Sequence, residues 1–309
     1  MSDLYSIYPF TSNAFNLLAM DMQEWMPNIQ PTKVHVGGSL DPAMVAASYY
    51  EPSARIGTTD LETLFANVSL LRGKKLTSWA MQFQQRAEAG GAGDFTTGST
   101  HAAVKSVSGC PACMVVDSIS AEKDQRDPVS ANCSLFMYSS NGRTVPFTVG
   151  TSEALSQSPA IGKTYALGPI LCEGLSGGLA GAQRAEINFG TPIVPDRDAG
   201  KTCPIRGTVG NRNPTISVDA ESIAIGALLG AIAKTQDVGG GMTVYLQRLL
   251  HGSDRYAFDQ SEHIAIGFTT GAYLTQSIGV NKDGNAMTRF TAHITGQIAV
   301  VVNTTITVP

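Results

Sequence analysis

Charge is scarce in this chain. Its 309 residues include 21 Lys and Arg against 25 Asp and Glu, 15% of the total, with a net charge of -4. Globular proteins average about 25% charged residues, so much of the surface must be polar but uncharged, or covered by partners. The net charge of -4 and the pI near 5.7 argue against the concentrated positive face that phosphate binding needs. No apolar stretch approaches the roughly 18 residues of a membrane span, and no Lys or Arg precedes Lys33 to open a signal peptide. The expectation is a chain made and soluble in a cytosol, with no membrane partner. Five cysteines, Cys110, Cys113, Cys133, Cys172 and Cys203, are odd in number and scattered, which does not fit a secreted disulfide framework.

Complete catalytic motifs are missing as well. Gly174 to Gly178 reads GLSGG and fits a nucleophile elbow with Ser176, but that motif needs a strand before it and a helix after it. The glycines that follow make a poor helix, and the histidines available as bases are His251, His263 and His293. Ala160 to Thr164 and Asp198 to Thr202 end like phosphate-binding loops, yet Gln157 and Pro195 stand where the leading Gly is required. Cys110 and Cys113 have the spacing of half a zinc site with no second pair to complete it. The sequence therefore predicts no catalytic residue, no metal site and no cofactor.

Gly is plentiful, at 32 residues, and short β-branched or aromatic runs broken by Gly and Pro recur along the chain, the pattern of strands. Residues 12–27 read as a helix with Ser12 or Asn13 as cap and Pro27 as stop. Leu61, Leu64, Phe65, Val68 and Leu71 sit at helical spacing behind Thr59 or Asp60, with Gly73 as terminator. Trp79, Met81 and Phe83 alternate with Ala80, Gln82 and Gln84, the period of a half-buried strand. A hairpin turn is expected at Asn141-Gly142, and a second helix over 220–234. The organisation expected is an N-terminal arm (1–32), a β domain (33–150), a connection rich in Gly, Ser and Ala (151–184) and a second β domain (185–309).

The two β domains resemble each other. Laid on the residues 162 positions further on, Pro42, Pro52, Gln85, Arg86, Gly90, Ser99, His101, Ala103 and Gly109 each meet an identical residue. The order of expected elements also recurs: strands, a helix, a strand, a loop and paired strands. Val244 and Leu246 disturb this register, because they fall on the polar Gln82 and Gln84 and would turn one strand over. His101 and His263 each open a strand after a Gly-bearing loop, the place for a His that orients the loop by a hydrogen bond. Gln85 and Arg86, with Gln247 and Arg248, read as polar strand ends suited to pairing across a subunit interface.

Duplicated β domains, low charge and no catalytic constellation describe building material whose strand edges close into a symmetric ring. On residues 33–309, and above all Pro52 to Phe65 with Ala80 to Arg86 and Pro214 to Leu229 with Val244 to Leu250, the chain resembles the duplicated tail-tube proteins of long-tailed bacteriophages. The resemblance implies a mainly β fold of two tandem tail-tube-like sandwich or barrel domains, each with one short helix. It further implies a homotrimer forming pseudo-hexameric, stacked rings in a virion assembled in the host cytoplasm. The partners are copies of the chain and other virion proteins, with DNA passing through without specific binding. The alternatives are another virion protein, either a tandem β-barrel capsid protein or a tail hub or baseplate ring, and then a serine hydrolase using Ser176.

Overall fold

The computed structural model describes residues 5–35, 37, 41–85, 100–101, 104–109, 111–123, 128–151, 153–154, 156–158, 160, 162–172, 179, 181–221, 241–250, 254–280 and 286–307. The chain begins with β1 (Tyr5–Ile7), β2 (Phe10–Ser12), β3 (Asn16–Leu17), β4 (Met20–Met26), β5 (Ile29–His35), β6 (Pro42–Tyr50) and β7 (Ser53–Thr58), followed by α1 (Leu61–Asn67). Next come β8 (Lys74–Leu76), β9 (Trp79–Gln85), β10 (Thr100–His101), β11 (Val104–Gly109), β12 (Ala112–Glu122), β13 (Ser130–Met137), β14 (Thr148–Gly150) and β15 (Glu153–Ala154). The second half holds β16 (Tyr165–Cys172), β17 (Ala182–Asn188), β18 (Ile193–Asp196), β19 (Arg206–Val209), β20 (Thr215–Ala220), β21 (Met242–Arg248), β22 (His263–Phe268), β23 (Gly271–Val280), β24 (Ala286–Ile294) and β25 (Ala299–Thr304).

The fold is mainly β and its described sheets are antiparallel. A nine-stranded sheet runs β23-β24-β20-β17-β12-β13-β7-β4, with β8 added on β12. A six-stranded sheet runs β14-β11-β9-β2-β3, with β1 also on β9, and a four-stranded sheet runs β16-β21-β22-β25. The hairpins β5-β6 and β18-β19 and the short ladder β10-β15 complete the set. Alternation puts Ile56, Ile119, Leu135, Ile187, Val218 and Phe290 of the large sheet into one buried cluster with Trp79, Met81, Val107, Val244, Leu246 and Ile266 of the smaller sheets. The architecture is thus sandwich-like, and each fully buried aliphatic side chain contributes about 1.5–3 kcal/mol.

The same pairing pattern occurs twice. β4 pairs β7 as β17 pairs β20, β7 pairs β13 as β20 pairs β24, and β12 pairs β13 as β23 pairs β24. The small sheets follow suit, with β9-β11-β14 matched by β21-β22-β25 and the hairpin β5-β6 by β18-β19. Irregularities recur too. β12 carries a bulge between Val116 and Ser118 and β23 one between Thr275 and Ser277; β4 carries one between Met20 and Met22 and β17 one between Ala182 and Arg184. Inward-facing Trp79 and Met81 thereby match Met242 and Val244. One inserted residue keeps β21 upright and removes the conflict at Val244 and Leu246.

Several expectations are corrected. Residues 12–27 form β3 and β4 instead of a helix. Ser12 caps nothing helical: its Oγ accepts the N–H groups of Ala14 and Phe15, a local turn that competes with helix. Asn13 Oδ1 accepts from the N–H groups of Thr77 and Ser78. Residues 1–32 hold β1 to β4 and the start of β5, and residues 151–184 hold β15, β16 and the start of β17. α1 stops at Asn67 because Val68 is extended (φ -106°). Gly73 instead closes a later turn at φ +66°, where a Cβ would lie 2.5 Å from the Met114 carbonyl oxygen.

Asn141-Gly142 joins no hairpin, since β14 leaves β13 and pairs with β11. Asn141 Oδ1 accepts the N–H groups of Arg143 and Thr144, winding the chain into a compact turn. Ala220 of the expected second helix lies in β20, and 222–240 fall outside the described residues, as do the loop at 86–99 and GLSGG. No helix among the described residues is long and apolar enough to cross a membrane.

Candidate assembly interface

The nine-stranded sheet joins the two halves by direct pairing of β12 with β17. Ser118 faces Asn188, Ile119 faces Ile187, Ser120 faces Glu186 and Ala121 faces Ala185. Ile119, Ala121, Ala185 and Ile187 are fully buried, so the joint is as dry as any other part of the core. On the opposite face Arg184 lies 3.8 Å from Glu122 and 3.9 Å from Glu186. These contacts are exposed and contribute little. The ladder and the buried aliphatics hold the joint.

Two further contacts brace it. The hairpin β18-β19 folds back on the first half, bringing Gly207 so near that an added Cβ would lie 3.1 Å from Phe136. Beside it Ser139 N–H donates to the Pro204 carbonyl at 2.7 Å, and Thr202 and Cys203 N–H donate to the Gly142 carbonyl, both at 3.0 Å. At the other end α1 presents Glu62 to the second half, where Lys163 stands 3.1 Å away and Asn303 Nδ2 donates at 2.7 Å. Lys163 also meets Glu262 at 3.1 Å. Burial pushes the Glu62 carboxyl up, but hydrogen bonds from Asn303 and Lys163 and the charges of Lys163 and Arg248 together hold it below the usual range.

The ends of the large sheet have no such partner among the described residues. β4 closes one side and β23 the other. Ser277 and Gly279 of β23 are exposed, and so is Glu24 of β4. Next to β4 the hairpin β5-β6 carries large apolar side chains in solvent: Ile29 is 47% exposed, Val34 42%, Met44 55% and Val45 58%. Its base touches the second hairpin, where Arg197 pairs with Glu51 and its guanidinium lies 4.0 Å from the Tyr49 ring centre.

The outward face of the large sheet is polar. Arg55 lies 3.9 Å from Glu24, Arg184 lies between Glu122 and Glu186, and Arg289 forms two 2.6 Å hydrogen bonds with Asp219. Ser217 and Thr291 share a 2.8 Å hydrogen bond across β20 and β24. Each of these arginines is matched by a carboxylate, which leaves that stretch close to neutral.

The residues singled out in the sequence scatter. His263 is fully buried; its Nδ1 accepts the Arg248 N–H at 3.1 Å and its Nε2 meets the Ala257 carbonyl at 2.9 Å. Gln247 is buried, donates to the Tyr256 carbonyl at 2.8 Å and accepts from Arg255 at 3.4 Å. Arg248 lies 3.8 Å from Glu262 and stacks on Tyr256. All three therefore bind the loop between β21 and β22. In the first half, Gln85 pairs with Tyr5 along β9, and His101 sits on β10 opposite Glu153. Register makes Val104, not His101, the counterpart of His263, because Lys105 faces Phe83 as Ile264 faces Leu246. Arg86, Ser176, His251 and Cys110 lie outside the described residues.

Lys163 and Lys201 of the phosphate-loop look-alikes are occupied, the first by its carboxylates and the second by the Asn141 carbonyl at 2.8 Å. Burial pushes the Cys172 thiol up to about 12 and also raises Cys113. Neither is poised as a nucleophile. No group of His, Cys, Asp or Glu among the described residues could hold a metal ion. Strand edges β4 and β23 were not singled out in the sequence, although Tyr5 and Pro9 recur as Tyr165 and Pro169 and signal that the repeat begins with β1. No family model and no curated protein matches the chain.

Proposed function

We propose that the chain is a virion structural subunit, a tail-tube protein of a long-tailed bacteriophage in which two tube domains per chain let three chains close a pseudo-sixfold ring. The observation that carries this reading is the β12-β17 joint between two halves of like pairing, which leaves one edge of each kind unpaired among the described residues at the ends of the sheet. A chain with two different complementary edges makes a head-to-tail contact, and such contacts close into rings when the rotation permits. Uncovered edges are otherwise an aggregation hazard.

The outward face supports the same reading. Its paired arginines and hydroxyls offer little net charge to phosphate, which suits a channel wall past which DNA slides. In this account the chain works as a homo-oligomer of stacked rings, beside other virion proteins and without catalysis. Sedimentation at rising concentration tests it, with the expected mass in multiples of three chains. A hub or baseplate ring would close yet never stack. If the chain were a hydrolase, Ser176→Ala would abolish turnover of an activated ester; the account expects no turnover in either form.

A further inference from the structure

The chain contains one finished copy of a contact whose two halves, among the described residues, also stand unpaired at the ends of the large sheet. Pairing registers fix which residues correspond. β12 and β23 carry their bulges at the same place against β13 and β24, so Ser118 corresponds to Ser277, Ile119 to Ile278 and Ser120 to Gly279. β4 and β17 share a bulge against β7 and β20, so Asn188 corresponds to Met26, Ile187 to Trp25 and Glu186 to Glu24.

We infer that a second copy of this chain seats its β4 on β23 in the register of the internal joint, with Ser277 opposite Met26, Ile278 opposite Trp25 and Gly279 opposite Glu24. The inference rests on the ring-building reading and adds to it which residues meet. Three observations carry it. The exposure of Ser277 and Gly279 contrasts with the half-buried Ser118 and Ser120, whose side of the sheet is paired. The faces also match. Trp25, in the place of buried Ile187, is half-buried with its ring 4.7 Å from Phe147, while Glu24 points outward as Glu186 does. Its indole Nε1 and the neighbouring Gln23 Oε1 are buried without a hydrogen-bond partner.

The hairpins supply the third observation. Between its two register shifts, β5-β6 pairs Pro31 to Val34 with Ala47 to Met44 as β18-β19 pairs Ile193 to Asp196 with Val209 to Arg206, so Val45 corresponds to Gly207, and His293 of β24 corresponds to Phe136 of β13. In the second half this hairpin is seated, with Gly207 on Phe136. In the first half the equivalent seat would be the β24 of another chain, beside β23, whose outer edge is unpaired among the described residues, and Val45 is left 58% exposed. Edge and hairpin therefore ask for the same neighbour.

Cysteine pairs test this directly. Ser120→Cys with Glu186→Cys calibrates the geometry inside one chain, and Glu24→Cys with Gly279→Cys reports the contact between chains. A Cβ added at Gly279 meets nothing within 4 Å. Under mild oxidation the calibrating pair is expected to close within a monomer. The end pair is expected to give a ladder of covalent oligomers that stops at the closed ring and is absent from either single variant. Rings seen by electron microscopy that give no ladder, while the calibrating pair closes, would overturn the register and leave the tube reading standing. A folded monomer at every concentration, again without a ladder, would overturn both.

Discussion

His263 shows how one side chain fixes a loop. With Nδ1 accepting from Arg248 and no exposed surface, its Nε2 donates to Ala257, and the ring ties both ends of the β21-β22 loop together. His263→Ala leaves the Arg248 N–H unsatisfied in a buried site, at a cost of about 1–3 kcal/mol. The thermal midpoint should fall accordingly, and faster amide exchange should be confined to 254–262. Glu62 gives a pH signature. Its folded pKa lies below the ordinary 4.5, so its contribution is fully present above that value and is lost as pH falls through the folded one. Glu62→Gln should flatten the acid limb of midpoint against pH; an unchanged limb would contradict the network with Lys163 and Asn303.

At the scale of elements, the internal joint and the free ends should respond differently to mutation. Ile187→Ala empties a fully buried site in β17 and should cost about 2–5 kcal/mol in the monomer, read by denaturant unfolding. Val45→Asp, on the exposed hairpin, should leave monomer unfolding unchanged and abolish oligomers in sedimentation. Trp79 and Met81 made β9 legible because strict alternation survives there. β4 was hidden for a physical reason: the bulge at Asp21 breaks its alternation, and Leu, Met, Gln and Glu favour helix until sheet pairing overrides them. The repeat was legible only in outline, because Thr58 matches Ala220 at one offset, Met81 matches Val244 at another and Ile119 matches Ile278 at a third. Free edges cannot be read from a chain at all, since only the sheet order says which strand is last.

For the whole molecule, the proposed reading takes the low charge and the polar, internally paired sheet face as those of a channel wall past which DNA slides. Gel-shift titration at 50 mM salt or below, where phosphate contacts are strongest, should show no retention; a shift that vanishes steeply with salt would mean a binding surface instead. In the proposed reading, two like halves and two sheet edges left unpaired among the described residues make the single chain one part of a larger ring. Negative-stain electron microscopy across concentration and salt tests that most directly. Rings or rods with a central channel and three- or sixfold symmetry are the predicted result; dispersed single particles at every concentration, or closed shells and flat hexagonal sheets, would contradict it.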